Sequence, residues 1–454
     1  MPDRFDVLPL ARELARVVAE LGFETMTPIQ ELSLPFLLDG RDLVGQAKTG
    51  SGKTAAFVIP ILQKIEVATR APQALILCPT RELCAQVARE TRRLGRHFKG
   101  LQVLVLAGGE PAKPQVAALE KGAHVLVGTP GRVLDLLTRD AVETDTLRTL
   151  VLDEADRMLD MGFEEEMTQI LGKMPRRRQT VFFSATYPPV IKSWSRKYQH
   201  EPVNVKIDEA APDIRHLVFP AEKEEKTGLL AKIVRQRSAL VFCNQKATIA
   251  ELRARLEREG VETGELHGDL EQRDRNRVLA MFRGGSCPVL LATDVAARGL
   301  DIQGLELVVH YDLPHESAAY VHRSGRTGRA GEKGTSVVLG TQVERARLRE
   351  FAGELGFKIE KGELAEFRAK TDKPAGAAMQ TLYISGGRKD KVRPGDILGA
   401  LTGRGALTAL QVGKIEIHDG FSFVAVARDV AAAAVQRLKT GGIKGRKFLV
   451  RIEG

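Results

Sequence analysis

The chain has 454 residues, 43% hydrophobic and 28% charged, with 43 Gly and 20 Pro, a globular composition that excludes collagen-like repeats and wholesale disorder. At about 150 residues per domain, this length implies about three domains, with cores large enough to need no disulfide staples. The net charge of +10 is uneven: residues 376–454 carry 13 Lys and Arg against 6 Asp and Glu, so a basic tail follows a nearly neutral body and a polyanionic partner is indicated.

The N-terminal stretch MPDRFDVLPLARELARVV carries charge where a signal peptide needs an apolar core. No later stretch approaches the roughly eighteen apolar residues of a membrane span, so a soluble, cytoplasmic protein with no membrane partner is expected. Short Val/Leu/Ile-rich runs then alternate with helix-length amphipathic segments: ALILC (74–78), VLVL (103–106), HVLVG (124–128), TLVLD (149–153) and TVFFS (180–184). This is the pattern of parallel strands buried on both faces and joined by crossover helices. The segment 201–220 interrupts the rhythm with three prolines and mixed polarity, and a linker is predicted at 208–213. A second α/β lobe follows, with ALVFC (239–243), TGELHG (263–268), PVLLA (288–292), LELVVH (305–310) and TSVVL (335–339), then a helical stretch ending near Gly362. The run FRAKTDKPAGAAMQ lacks periodicity and reads as a second linker.

The tail reads as strand 381–385, helix 395–403, strand 412–417, turn HDG, strand 421–426, helix 428–439 and strand 446–452. This βαββαβ order matches a small RNA-recognition fold. Cys78, Cys84, Cys243 and Cys287 lack C-x-x-C spacing and are expected to be buried reduced thiols.

AKTGSGKT (47–54) lies between the short strand DLVG and the apolar helix AAFVIPILQKI. Glycines at 50 and 52 let backbone N–H groups approach phosphates, Lys53 can reach the β and γ phosphates, and Thr54 can coordinate magnesium. Ala47 stands where the general pattern has Gly. Strand TLVLD runs into Asp153-Glu154-Ala155-Asp156. An acidic pair leaving the end of a buried strand suits magnesium coordination by Asp153, usually through water, and activation of an attacking water by Glu154. The bland alternative for this motif alone is an acidic helix start favoured by the helix dipole. Together the two motifs specify a P-loop NTPase.

With DEAD on such a strand, and PTREL (79–83), TPGR (129–132), SAT (184–186), TDVAARGLDI (293–302) and HRSGRTGR (322–329) in order, residues 1–365 resemble a DEAD-box RNA helicase. The resemblance implies an α/β protein with two RecA-like parallel-sheet lobes, 1–208 and 214–365, and an RNA-stimulated ATPase using ATP and Mg. GFETMTPIQ (22–30) resembles that family's adenine-reading element, with Met26 where the family usually has Pro and Phe5 as the expected ring. A Gln can bond bidentately to the N6/N7 edge of adenine, so Gln30 and Phe5 are expected to select ATP. Thr49, Gly50, Ser51, Gly52, Lys53 and Thr54 would hold the phosphates and Asp301 the ribose. Ser184, Thr186 and His322 would couple the sites, and Arg326 and Arg329 would serve as arginine fingers from the second lobe, so ATP is expected to close a cleft between lobes. Pro79, Thr80, Arg81, Gly108, Gly109, Thr129, Pro130, Gly131, Arg132, Gln272, Arg275 and Thr293 are the implied RNA contacts. Groups of this kind hold phosphates and sugars without reading bases. Each alone reads first as a helix cap; only the set carries the RNA reading.

GGRKDKVRPGDILGALTG resembles the tail of the DbpA branch of that family, which implies an RRM-like α+β domain over 376–454. It also implies recognition of a 23S ribosomal RNA hairpin and a role in large-subunit (50S) assembly, acting as a monomer. Tyr383, Phe421 and Phe423 are the expected base-stacking rings, the two Phe sharing a strand face opposite Val424 and Val426. Asp419, Ser422 and Val426 depart from the usual pattern of such domains. Lys444, Arg446 and Lys447 are phosphate-contact candidates. The expected function is thus ATP-dependent local unwinding of ribosomal RNA, the alternative being an ATP-gated RNA clamp or chaperone with little unwinding.

Overall fold

The computed structural model describes residues 3–47, 50–109, 111–207, 213–297, 305–328, 333–367, 377–403 and 407–453. Its contacts divide the chain into two units, the second containing both the later lobe and the tail. Both predicted linkers fall largely outside the described residues.

The first unit is built on seven parallel strands: β1 (Leu43–Gln46), β2 (Ala74–Leu77), β3 (Val103–Leu106), β4 (Val125–Gly128), β5 (Thr149–Leu152), β6 (Gln179–Ser184) and β7 (Val203–Lys206), in the order β3-β4-β2-β5-β6-β1-β7. β2, β4, β5 and β6 are buried along their whole length, since their apolar runs leave no polar face for solvent. Alternate side chains feed opposite cores: Ile76, Val151 and Phe183 join one cluster, and Leu75, Leu77, Leu150, Leu152 and Phe182 the other. Each such fully buried side chain contributes about 1.5–3 kcal/mol relative to exposure. The carboxyl ends of the adjacent strands β5, β6 and β1 therefore meet at one sheet edge, where parallel α/β sheets place ligands.

The later lobe repeats the design with β8 (Ile214–Pro220), β9 (Ala239–Phe242), β10 (Thr263–Leu266), β11 (Val289–Ala292), β12 (Leu307–His310), β13 (Gly334–Gly340) and β14 (Ile359–Lys361). Their order is β10-β11-β9-β12-β13-β8-β14, the order of the first sheet with every strand number raised by seven. Segment 201–220, read from sequence as an interruption, in fact holds all of β7 and β8, and the stretch read as helical up to Gly362 ends in β14. β7 and β14 are edge strands of mixed polarity, partly exposed, so neither shows the unbroken apolar run of a central strand.

The tail is a four-stranded antiparallel sheet, β16-β17-β15-β18, made of β15 (Met379–Ile384), β16 (Val412–Ile417), β17 (Ser422–Ala427) and β18 (Val450–Ile452). Leu382, Ile384, Val424 and Val426 form its core with helices Pro394–Thr402 and Ala431–Gly441, in the expected βαββαβ order. The last strand is shorter than predicted, which leaves Arg446 and Lys447 in a loop, and Phe421 precedes β17 rather than belonging to it.

Candidate nucleotide and RNA sites

The phosphate loop is shaped by glycine. Gly50 and Gly52 have φ of 91° and 96°, a region that side-chain-bearing residues rarely adopt. A Cβ on Gly52 would also lie 2.6 Å from Gln30 Nε2 and 2.7 Å from Thr27 Oγ1. That close approach lets Gln30 work in two directions: its Oε1 accepts from Thr27 N (2.9 Å) and its Nε2 donates to Gly52 O (3.1 Å). The GFETMTPIQ segment is thus bonded directly to the glycine-rich loop. Phe5 packs in the lobe's core, 3% exposed and 5.6 Å from the Phe23 ring. Thr49 lies outside the described residues. Lys53 opens helix Lys53–Lys64, is buried, and donates to Ala47 O at 2.8 Å; Ser51 and Thr54 beside it are partly exposed.

Asp153, at the end of β5, is 3% exposed. Burial pushes its carboxyl up to about 6, with the Lys53 ammonium opposing and the Glu154 carboxylate adding to the rise. Its Oδ1 is buried with no hydrogen-bond donor among the described residues. A desolvated, unsatisfied carboxylate oxygen beside the phosphate lysine is a fitting ligand for a hard divalent cation. Glu154 adopts φ 53°, a left-handed conformation whose cost for a non-glycine residue is typical of functional positions, and accepts from Arg157 Nη1 at 2.7 Å.

Asp156 turned out to organise the site. Its Oδ2 accepts from Ala185 N (3.1 Å), Thr186 N (2.7 Å) and Thr186 Oγ1 (2.9 Å), while Ser184 Oγ accepts from Asp156 N (3.1 Å). Gln46 at the end of β1 donates to Ala185 O (3.0 Å). The SAT segment is thereby fastened to the acidic motif on one side and to the strand feeding the phosphate loop on the other. The SAT motif points to Ser184 and Thr186, whereas Asp156 and Arg157 carry no such signal, although both belong to or adjoin the acidic motif itself.

The implied RNA positions of this lobe gather at the carboxyl ends of β2, β4 and β3, which are neighbours in the sheet. Thr80 caps helix Arg81–Leu94, its Oγ1 accepting from Leu83 N at 3.3 Å, and Pro79 before it is buried. Thr129 is the cap position of helix Pro130–Thr138, whose first turn holds Gly131 and Arg132. The Arg81 guanidinium lies against Gly108-Gly109: a Cβ on Gly109, at φ 78°, would come 1.6 Å from Arg81 Nη1. Two helix N-termini and an arginine thus converge on one strip, a surface suited to phosphate oxygens.

In the later lobe, Arg323 ties two motifs together although nothing in its sequence neighbourhood singles it out. It is 2% exposed and donates from Nε to Asp294 Oδ1 (2.6 Å) and from Nη2 to Asp294 Oδ2 (2.6 Å) and Asn244 Oδ1 (2.8 Å), with Nη1 on Asp312 O (2.7 Å). This joins HRSGRTGR to the TDVAARGLDI segment. Arg326 is buried at 3%, and His322 and Thr293 are partly exposed. Gln272 and Arg275 lie on the first turn of helix Gln272–Arg283, with Arg275 Nη2 on Ala296 O at 2.6 Å. Asp301 and Arg329 lie outside the described residues.

In the tail, Tyr383 and Phe421 stack at 5.9 Å, and His418 stacks on Phe421 at 4.6 Å. A Cβ on Gly387 would fall 2.5 Å from Asp419 O and 2.6 Å from Phe421 N, so glycine there admits the turn that carries Phe421 up to Tyr383. Phe423 corrects the expectation. It faces the predicted side of the sheet but is 3% exposed, enclosed edge-on by Tyr383, Phe421 and His418, so it supports the platform and offers no face to a base. Lys444 and Arg446 are paired with Asp396 (2.8 Å) and Asp390 (3.1 Å), which anchor the loop, while Lys447 is exposed.

Comparison with known proteins agrees with this geometry. The DEAD/DEAH box helicase family matches residues 27–194, the helicase conserved C-terminal domain residues 225–331, and the DbpA RNA binding domain residues 381–452. The chain is 44% identical to the ATP-dependent RNA helicase DbpA of Escherichia coli, with 95% of each chain covered, and 36% identical to that of Bacillus subtilis, with 97% of each covered. Among solved structures it resembles S. cerevisiae Dbp5 bound to RNA and ADP BeF3, with a TM-score of 0.72 at 31% identity over 80% of this chain and 97% of that one. The chain belongs to the DEAD-box family of ATP-dependent RNA helicases and, through its tail, to the DbpA group within it.

Proposed function

We propose that the protein remodels ribosomal RNA in the cytoplasm during assembly of the large (50S) ribosomal subunit, directed by its tail to a 23S ribosomal RNA hairpin. The observation that carries the enzymatic part is the Lys53, Asp153 and Glu154 constellation, buried at one sheet edge and tied through Asp156 to the SAT segment. Lys53 and the main-chain N–H groups after Gly50 bind phosphates, and Gln30 reads the adenine edge. Thr54 and Asp153 hold magnesium, which when bound screens the charge of the phosphates. Glu154 orients the attacking water and takes its proton.

Arg326, with Arg329 as its companion, is proposed to stabilise the charge that develops on the γ-phosphate. The strip at Thr80, Arg81, Gly109 and Pro130, with Gln272, Arg275 and Thr293 of the later lobe, holds the RNA backbone without selecting sequence. Selection is left to the tail, where Tyr383 and Phe421 stack on bases and Lys447 contacts phosphate. The tail's membership of the DbpA group supports ribosomal RNA as its target, and the protein is proposed to act as a monomer. Crosslinking the intact protein to total cellular RNA and mapping the sites tests this: a single 23S hairpin should dominate, and a dispersed pattern would refute it.

A further inference from the structure

The tail's sheet does not present its ring-bearing face freely. Helix Gln272–Arg283 of the helicase lobe and the turn after it pack on part of that face. A Cβ on Gly284 would lie 3.0 Å from Ala425 Cβ, and Ser286 Oγ and Thr381 Oγ1 are 2.5 Å apart. Arg277 faces Glu453 (3.6 Å) and Arg283 faces Glu416 (3.5 Å). Tyr383 and Phe421 stay partly exposed at the rim, where the Arg451 guanidinium already lies 4.7 Å from the Tyr383 ring centroid.

At that rim stands a helicase-lobe residue with no place in the known motifs. Arg273 is exposed, and its guanidinium lies 5.7 Å from the Tyr383 ring centroid, within cation–π range. Arg277, Arg283 and Arg451 each have a carboxylate partner, Arg451 through Glu453 at 2.8 Å. Arg273 has none among the described residues, so its N–H donors remain free for an incoming anion. It is also the immediate neighbour of Gln272, and two residues from Arg275, both assigned to the helicase core's RNA track.

We infer that Arg273 completes the tail's RNA site: its guanidinium contacts the phosphate of the nucleotide whose base stacks on Tyr383 and Phe421. The lobe and the tail thus share one composite RNA-binding patch, and a strand leaving the stacking rings passes straight to Gln272 and Arg275. This rests on the proposed stacking role of Tyr383 and Phe421, and the test separates the two. Affinity of the full chain for a fluorescein-labelled hairpin of 23S ribosomal RNA, the one dominant in the crosslinking map, is measured for Arg273→Ala, Tyr383→Leu and the double variant across a salt series. Arg273→Ala should weaken binding about fivefold to tenfold and lower the salt slope by about 0.7, as for one single-strand phosphate contact, whereas Arg273→Lys should keep the slope. The double variant should lose clearly less than the product of the single losses, because both residues serve one nucleotide.

Arg283→Gln breaks a seam ion pair away from the rings and should leave the slope unchanged; the same slope loss there would reduce Arg273 to holding the seam and overturn the inference. Loss in Tyr383→Leu without loss in Arg273→Ala would overturn it while leaving the stacking role intact. Fully additive losses would move Arg273 to the core track and overturn it equally. No loss in either single variant would remove the stacking role and the composite patch together.

Discussion

The two helicase lobes share a strand order yet divide the chemistry between them, and matched positions show how. β1 and β8 occupy the same place in their sheets, and each leads by a loop into a helix that opens on a buried lysine, Lys53 or Lys226. β5 and β12 likewise correspond, so Asp153 and Glu154 match Tyr311 and Asp312. In the first lobe the loop is the glycine-rich AKTGSG and the lysine faces an acidic pair whose Asp153 has an unsatisfied oxygen. In the later lobe the loop is AEKEE, and Lys226 is consumed by Glu344 (2.7 Å) and Tyr311 O (2.8 Å). This fold and a buried lysine do not by themselves make a phosphate site: the first lobe adds a loop whose glycines at 50 and 52 adopt positive φ, and a lysine not already held by an ion pair with a glutamate.

Glu154→Gln should sharpen the contrast most, keeping ATP and RNA binding while cutting phosphate release by about two to four orders of magnitude, since the amide cannot take a proton from water. Stopped-flow phosphate release checks this. Arg326→Ala should lower turnover by about three orders of magnitude with little change in the KM for ATP, because a finger's contact forms chiefly in the transition state; steady-state kinetics at saturating RNA separate the two constants.

The lysines test the comparison itself. Lys53→Ala should abolish nucleotide binding with a modest stability change, whereas Lys226→Ala should leave nucleotide binding intact and destabilise the later lobe by about 3 kcal/mol, since it strands the largely buried Glu344. Calorimetric titration with ATP and urea unfolding report the pair. Loss of nucleotide binding in Lys226→Ala would break the division of labour.

A smaller difference concerns pH. Where the first lobe has Leu152, the later lobe has His310, fully buried between Tyr320 and Phe242. Burial first, then the Arg323 charge, hold His310 well below its usual range, and burial holds nearby His216 near 4. The unfolded chain then binds more protons than the folded one below about pH 6.5, so this contribution to stability is present above that pH and is lost as pH falls toward 4. His310→Leu should flatten the drop in urea midpoint between pH 7 and 5, and an unchanged slope would remove the histidine from the account.

What the sequence disclosed follows from what is local. The phosphate loop, the acidic motif and the central strands are contiguous patterns whose chemistry depends on neighbours in the chain, and they are found where the residues indicated. Edge strands β7 and β14 escaped because half-exposed strands carry no apolar run. The ties made by Asp156 to Thr186 and by Arg323 to Asp294 join segments 29–30 residues apart, and their residues look like ordinary surface charges until the fold closes over them. Phe423 shows the limit most clearly: alternation correctly gave its face of the sheet, but could not disclose that the surrounding rings would enclose it.

The central claim is a sequence-blind ATPase core aimed by a base-reading tail, and RNA-stimulated phosphate release by the intact protein tests it most directly. The rate is followed against the concentration of the 23S hairpin fragment and of a random-sequence RNA of equal length. The account predicts equal maximal rates, half-maximal stimulation by the hairpin at a concentration at least about tenfold lower, and loss of that advantage in Phe421→Ala, which removes a stacking contact of about 1–3 kcal/mol. Equal half-maximal concentrations for the two RNAs in the wild-type protein would contradict it.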